Sequence, residues 1–117
     1  MKKKVSEIEN TKYGQDDICC EPSKADIQKA VDEKDFETRG FQEHELEIQA
    51  QFLALPISER YGWLRTYHAK RIAFFVLNGW DDYPIVLNKD LHTIKEGLHR
   101  LKAAIFLDME TVEVDVE

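Results

Sequence analysis

The sequence predicts a small α+β domain, and four patterns carry that prediction. A long stretch with apolar residues at helical spacing begins after Pro56 and stops at Asn78-Gly79. Two short apolar segments then flank a polar turn at residues 88–90, which is typical of a β-hairpin. A second helical pattern follows over residues 98–105, and the chain closes on valines that alternate with acids.

The elements are predicted in the order β, long α, β, β, α, β. Residues 45–54 alternate between apolar and polar side chains, which predicts the first strand, and Pro56 ends it. Ser58 is the predicted N-cap of the long helix, which runs to about Leu77. Its apolar stripe contains Tyr61, Leu64, His68, Ile72 and Phe75, widened by Phe74 and Val76.

The hairpin is predicted from strands at residues 85–87 and 91–95. Leu98, Leu101, Ala104 and Ile105 line one face of the next helix, and residues 112–116 form the final strand.

Residues 1–42 are predicted to be a polar N-terminal arm, partly helical, that precedes a domain at residues 43–117. The first 25 residues contain few apolar side chains and are expected to be mobile. Ser23 begins a capping pattern for a short helix over residues 26–33, in which Ile27, Ala30 and Val31 share one face.

Composition restricts the function classes. The 117 residues are 43% hydrophobic, as in a globular protein, and no apolar run is long enough to span a bilayer. The cysteines, Cys19 and Cys20, are adjacent and therefore poorly placed for a structural disulfide, so we expect a reduced cytoplasmic protein without membrane contact. The net charge of −7 disfavours autonomous DNA binding, although a local basic patch can still bind a small anion.

The strongest candidate site is the run Glu96-Gly97-Leu98-His99-Arg100, where the second hairpin strand meets the following helix. A glycine at such a junction leaves the first amides of the helix pointing outward, and a histidine and an arginine beside them add donors for phosphate. The alternative is a surface histidine and arginine near a helix start, with Glu96 only accepting bonds from the helix amides.

This run, preceded by PIVL and a second strand and followed by Leu-Lys-Ala-Ala, resembles the ParB/sulfiredoxin-like fold, whose members carry an acid-Gly-x-His-Arg motif there. The resemblance covers roughly residues 45–117. It implies that Gly97, Leu98, His99 and Arg100 bind phosphate and that Glu96 and His99 are the candidate catalytic residues. Family members bind and hydrolyse nucleotides, transfer phosphoryl groups or act as nucleases, so the fold alone leaves the reaction open.

The chain departs from the family pattern at three positions. Glu96 replaces the usual aspartate, Leu91 stands where a turn glycine is common, and Leu98 replaces the reactive cysteine of sulfiredoxin. The resemblance therefore implies a nucleotide-binding or phosphate-binding domain without sulfiredoxin chemistry.

The long helix also carries a basic set, which either neutralises the outer phosphates of a ligand or forms a solvated face. Its members are Arg60 and the outer-contact candidates Arg65, Lys70 and Arg71. Trp63 and Tyr67 either stack on a base or belong to the core.

No metal site is predicted, since His44, His92 and the cysteines lack ligand spacing. A nucleotide with Mg²⁺ is the candidate cofactor. The alternative function is a non-catalytic acidic regulator or inhibitor of a protein partner, such as one carried by a phage or plasmid.

Overall fold

The computed structural model describes residues 1–9, 21–40, 43–80 and 83–117. Within these ranges the protein is a small α+β fold with four α-helices and a four-stranded mixed sheet. The helices are α1 (Lys24–Asp32), α2 (Glu45–Ala54), α3 (Ile57–Asn78) and α4 (Leu98–Phe106), and the strands are β1 (Lys2–Lys4), β2 (Ile85–Leu87), β3 (Ile94–Glu96) and β4 (Thr111–Val116).

The chain divides into two compact units. One comprises residues 1–11 and 75–117 and contains the whole sheet and α4, and the other comprises residues 12–74 and contains α1, α2 and most of α3.

The sheet has the strand order β1-β4-β2-β3. Strands β2 and β3 form the predicted antiparallel hairpin, and α4 then returns the chain so that β4 pairs with β2 in parallel. The other edge of β4 pairs with β1 in an antiparallel ladder. Burial alternates along β4, with Val112 and Val114 inside, which confirms the period-two interpretation of this segment.

The core of the sheet unit lies between the inner face of the sheet and α4. Ile85 and Leu87 of β2 pack with Leu101 and Ala104 of α4, and all four side chains are fully buried. Ile8, Val112 and Val114 complete this cluster. The spacing of Leu101 and Ala104 places both on one helix face, as the sequence pattern predicted, whereas Ile105 is partly exposed.

The helical unit begins with α1, whose N-cap confirms the capping pattern. The Ser23 hydroxyl accepts from the Asp26 amide at 3.1 Å, and the Asp26 carboxylate accepts from the Ser23 amide at 2.9 Å.

Helix α3 begins at Ile57, so Ser58 lies inside its first turn and the predicted N-cap is wrong. The end of α3 agrees with the prediction to within one residue, because Gly79 has φ +73° and its amide bonds to the Phe75 carbonyl.

The strand predicted over residues 45–54 is wrong, because this segment is helix α2. Its residues are mostly strong helix formers (Glu, Leu, Gln and Ala), and Ile48 is the only β-branched side chain among them. Ile48 is buried and Phe52, four residues later, is half-buried, so the packed face follows helical spacing. The alternation of apolar and polar residues in this segment was accidental, and the helix propensity of its residues determined the structure.

The prediction of a mobile polar arm is also wrong for the first residues of the chain. Lys2–Lys4 form β1, in which Lys3 pairs with Val112, and the following turn of 3₁₀ helix at Val5–Glu7 brings Ile8 into the core. Three consecutive lysines give no strand signal of their own, because the pairing partner lies about 110 residues away along the chain. Cys19 and Cys20 fall outside the described residues.

The hairpin turn is longer than predicted, since β3 begins at Ile94 and not at residue 91. Asp90 organises this turn by accepting hydrogen bonds from the His92 amide, the Thr93 amide and the Thr93 hydroxyl, at 2.7–2.9 Å. Leu91 adopts φ +69°, the left-handed conformation that glycine adopts without strain.

Among the described residues, no helix has the length and apolar character that a bilayer crossing requires.

We expect Asp90 to make stability depend on pH on the acid side. Hydrogen bonds from Thr93 and His92 lower the pKa of its carboxyl group to about 2, against about 3.9 in an unfolded chain. The stabilisation is therefore complete above about pH 4 and is lost as the pH falls towards about 2. Urea unfolding from pH 6 to pH 2 should show a smaller loss of stability for Asp90→Asn than for wild type. An equal loss of stability with falling pH in wild type and in Asp90→Asn would contradict this role of the Asp90 carboxylate.

Replacing Leu91 by glycine should stabilise the fold by about 0.5–1 kcal/mol, because a side chain in the left-handed region costs about 1–2 kcal/mol and glycine loses part of this gain through entropy. Leu91→Ala is the matched control, since it shortens the same side chain but keeps a Cβ at φ +69°. Denaturant midpoints should rank Leu91→Gly above wild type and Leu91→Ala at or below it. The reverse ranking would show that Leu91 contributes more by packing than it costs in strain.

Candidate anion-binding site

The predicted turn lies where β3 ends at Glu96 and α4 begins at Leu98. Gly97 is the N-cap residue and adopts φ +101° and ψ 28°, a left-handed conformation. A Cβ at this position would lie 3.2 Å from the Ile85 Cα, which is closer than ordinary packing permits. Glycine is therefore required twice, once by the backbone angle and once by the approach to β2.

The N-terminus of α4 is electropositive. The first intrahelical bond runs from the Leu101 amide to the Gly97 carbonyl at 2.9 Å, so the three amides before it belong to the first turn and point away from the helix body. Gly97 offers no side-chain cap, and the first turn contains no acidic residue. The dipole of the nine-residue helix thus meets no carboxylate from its own first turn.

Arg100 lies beside this turn in a fixed position. Its guanidinium lies 5.5 Å from the Phe75 ring centroid and 5.6 Å from that of Tyr83, and its Nη1 donates to the Pro84 carbonyl at 3.2 Å. Nη1 also lies 3.5 Å from where a Cβ of Gly97 would be. The arginine thus ties α4 to the segment before β2 while placing its charge next to the glycine turn.

The other predicted site residues differ in exposure. His99 and Leu98 are half-buried in the first turn of α4, and the Glu96 side chain is exposed at the end of β3. The structure therefore brings Glu96, Gly97, His99 and Arg100 to one junction, as their adjacency in the sequence requires. Their roles as phosphate ligands and as catalytic groups stay predictions.

The basic residues proposed as outer contacts belong to the helical unit and have contacts there. Arg71 is buried and donates from Nη1 to the Glu37 and Thr38 carbonyls, at 3.1 Å each. Lys70 pairs with Asp35 at 3.2 Å. A hydrogen bond from Arg39 lowers the pKa of the Glu37 carboxyl in the same loop. Arg71 is therefore a structural residue that holds the chain after α1 against α3.

Arg65 lines a cleft of about 220 Å³ in the helical unit. The charged residues around it are of both signs: Lys29, Arg65 and Lys70, with Asp26, Glu33 and Asp35. This mixture gives the cleft no preference for an anion.

Trp63 and Tyr67 stack on each other, with centroids 5.8 Å apart, and Tyr67 is buried, in agreement with the core alternative.

The sequence pattern did not predict exposed apolar side chains on the helices that flank Pro56. Leu46 and Leu53 of α2 and Ile57 and Tyr61 of α3 are exposed. A helical interpretation of residues 45–54 would have shown Leu46 and Leu53 on the face opposite to buried Ile48.

No known protein family matches the chain, and no curated protein or solved structure shows significant similarity to it. The resemblance to ParB/sulfiredoxin-like domains rests on the motif residues and stays a prediction.

Arg100→Ala should lower the free energy of unfolding by about 2 kcal/mol, because two ring contacts and a charged hydrogen bond to a carbonyl are lost together. Arg100→Lys should cost about half as much, since it keeps the charge but not the planar fork. Lys95→Ala is the control, as its pairing with Glu117 at 3.6 Å is exposed and should change stability by less than about 0.5 kcal/mol. Equal urea midpoints for Arg100→Ala and Lys95→Ala would contradict the structural role of the arginine.

Proposed function

We propose that the sheet unit binds a phosphorylated ligand, with a nucleotide as the candidate, at the turn formed by Gly97, Leu98, His99 and Arg100. The observation that carries the proposal is the left-handed, uncapped Gly97 at the start of α4, with the Arg100 guanidinium fixed beside it. An anion in this position would accept bonds from first-turn amides and lie in the field of the arginine.

The energetics of the turn favour the same ligand. A cation near a helix N-terminus is opposed by the helix dipole, typically by about 0.3–1 kcal/mol. Arg100 is nevertheless held there by two aromatic rings and a carbonyl. A bound phosphate would relieve this repulsion, because its negative charge is attracted both to the positive end of the helix dipole and to the guanidinium. His99 would add a further donor near neutral pH.

The order hairpin, glycine, helix and strand over residues 85–116 supports the proposal because the resemblance to ParB/sulfiredoxin-like domains implies it, whereas the strand predicted with it over residues 45–54 is helix α2. If a bound nucleotide is hydrolysed or its phosphoryl group transferred, Glu96 is the nearest carboxylate in sequence to orient the nucleophile or hold Mg²⁺, and His99 would stabilise the phosphate.

Amide NMR spectra test binding without any substitution. Titration with inorganic phosphate, pyrophosphate, ATP and CTP, each with and without Mg²⁺, should shift the amide signals of residues 97–100 saturably. At 100 times Kd the same ligand should raise the free energy of unfolding by about 2.7 kcal/mol.

His99→Glu should abolish these shifts, because a fixed carboxylate would occupy the positive helix end in place of the ligand. His92→Glu is the matched control, since it makes the same change at an exposed histidine of the hairpin turn and should leave binding unchanged. Glu96→Gln should leave binding intact but stop any release of phosphate. If none of the four ligands shifts the amides of residues 97–100 at millimolar concentration, the proposal is wrong.

A further inference from the structure

The last turn of α3 ends in a dipeptide with a chemistry of its own. Asn78 is the final residue of this helix, and Gly79 follows it. Of the three asparagines in the chain, Asn78 alone precedes a glycine, since Asn10 precedes a threonine and Asn88 a lysine. Asn78 and Gly79 are both exposed, and within the described part of the chain nothing lies within 4 Å of where a Cβ of Gly79 would be. The peptide bond between them is therefore open to water.

Asparagine followed by glycine is able to form a cyclic imide without an enzyme. The Gly79 peptide nitrogen attacks the side-chain carbonyl carbon of Asn78 and forms a new carbon–nitrogen bond. The bond from that carbon to the side-chain nitrogen breaks, and ammonia leaves with the proton that the Gly79 amide has lost. Water then adds to one of the two imide carbonyls, so that the ring opens to aspartate or to isoaspartate. Glycine favours ring closure because it has no Cβ and its backbone angles are the least restricted.

The native helix opposes this attack. The Gly79 amide donates to the Phe75 carbonyl at 2.8 Å, so its proton is held in a hydrogen bond. Helical Cβ atoms are tilted towards the N-terminus, so the Asn78 side chain leads away from the peptide nitrogen that follows it. Ring closure therefore requires that the hydrogen bond to Phe75 breaks and that the backbone of Asn78 leaves the helical conformation.

We propose that Asn78 is a site of spontaneous deamidation and that local opening of the last turn of α3 sets its rate. Helix ends open at a much lower free energy than the whole protein unfolds. Leu77, in the same turn, is 40% exposed, so the opening separates little buried apolar surface. Each opening exposes the Gly79 nitrogen, and the product accumulates with the age of the protein. The proposal does not depend on phosphate binding at the Gly97 turn.

The reaction would weaken the structure around Arg100. A carboxylate at residue 78 would lie at the negative end of the α3 dipole, and isoaspartate adds a carbon atom to the backbone between the Gly79 amide and its acceptor. Both changes favour the open turn. The acceptor belongs to Phe75, whose ring centroid lies 5.5 Å from the Arg100 guanidinium and 6.3 Å from that of Trp80. Deamidation thus acts on a residue that holds Arg100 in place.

Peptide mass spectrometry of the full chain measures the reaction during incubation at mildly alkaline pH, in buffer and in concentrated urea. In buffer Asn78 should convert about tenfold to a hundredfold more slowly than in urea, because only the open turn reacts. Passage through global unfolding would slow it by about a thousandfold or more. Isoaspartate should exceed aspartate at residue 78, whereas direct hydrolysis of the side chain would give aspartate alone. Asn88 is the internal control and should stay unmodified in buffer.

Hydrogen exchange, measured by NMR, reports the same opening without any substitution. The protection factor of the Gly79 amide should equal the ratio of the two deamidation rates to within about threefold, because one opening exposes both the proton and the nitrogen.

Leu77→Gly lowers the helix propensity of the last turn and should bring the rate in buffer about threefold closer to the rate of the same variant in urea. Ile105→Gly is the matched control, since Ile105 is 38% exposed and also lies one residue before the end of its helix, α4. It should leave the ratio at Asn78 unchanged. If circular dichroism shows that Leu77→Gly is unfolded, the exchange comparison on the wild-type chain decides.

The proposal is overturned if Asn78 reacts equally fast in buffer and in urea, or about a thousandfold or more slowly in buffer. It is also overturned if the two glycine variants accelerate the reaction equally, since the last turn of α3 would then not control it. Aspartate without isoaspartate at residue 78 would exclude the imide.

Discussion

The close approach of Gly97 to Ile85 is the constraint on which the sheet unit depends. With a Cβ position only 3.2 Å from the Ile85 Cα, the backbone at the start of α4 lies directly against the central strand β2. Ile85, Leu101 and Ala104 are fully buried as a result, because α4 begins at this contact and remains close to the sheet. The close packing that stabilises the core also leaves the helix without a capping side chain, so stability and the candidate site share one glycine.

Arg100 connects the same turn to the chain that enters the sheet. Its contacts with Phe75, Tyr83 and the Pro84 carbonyl span the end of α3 and the approach to β2. A lysine would supply the charge but not a planar group that contacts two rings. The residue type is therefore explained by structure even before a ligand is considered, and a ligand would use a charge that packing already holds in place.

Local patterns predicted the elements whose signals are local. Ser23 capped α1, Gly79 ended α3, and the valines of β4 alternated, because each depends on neighbours a few residues away. The pairing of β1 with β4 could not be predicted, since its energy comes from a partner at the other end of the chain. Residues 45–54 were misassigned because alternation was counted while helix propensity was not.

The candidate site followed the same division. Glycine at a strand-to-helix junction is a local signal, and the structure places Gly97 there as predicted. The ring contacts of Arg100 and the carbonyl contacts of Arg71 involve segments 16–34 residues away, so neither could be derived from spacing. The exposure of Leu46 and Leu53 was recoverable from the sequence only after the period of residues 45–54 had been assigned correctly.

The position of β4 between β1 and β2 sets the order in which the protein can assemble during synthesis. The first strand leaves the ribosome about 110 residues before its partner, which corresponds to roughly 5–20 s of translation. During that interval the helices of residues 24–74 can form from local contacts, whereas the sheet lacks the strand that joins its two halves. The partner of β2 in β4 is made about 30 residues after β2, which corresponds to roughly 1.5–6 s of translation. We therefore expect the nascent chain to expose the apolar face of β2 during this shorter interval, in which the protein is most open to chaperones and to aggregation.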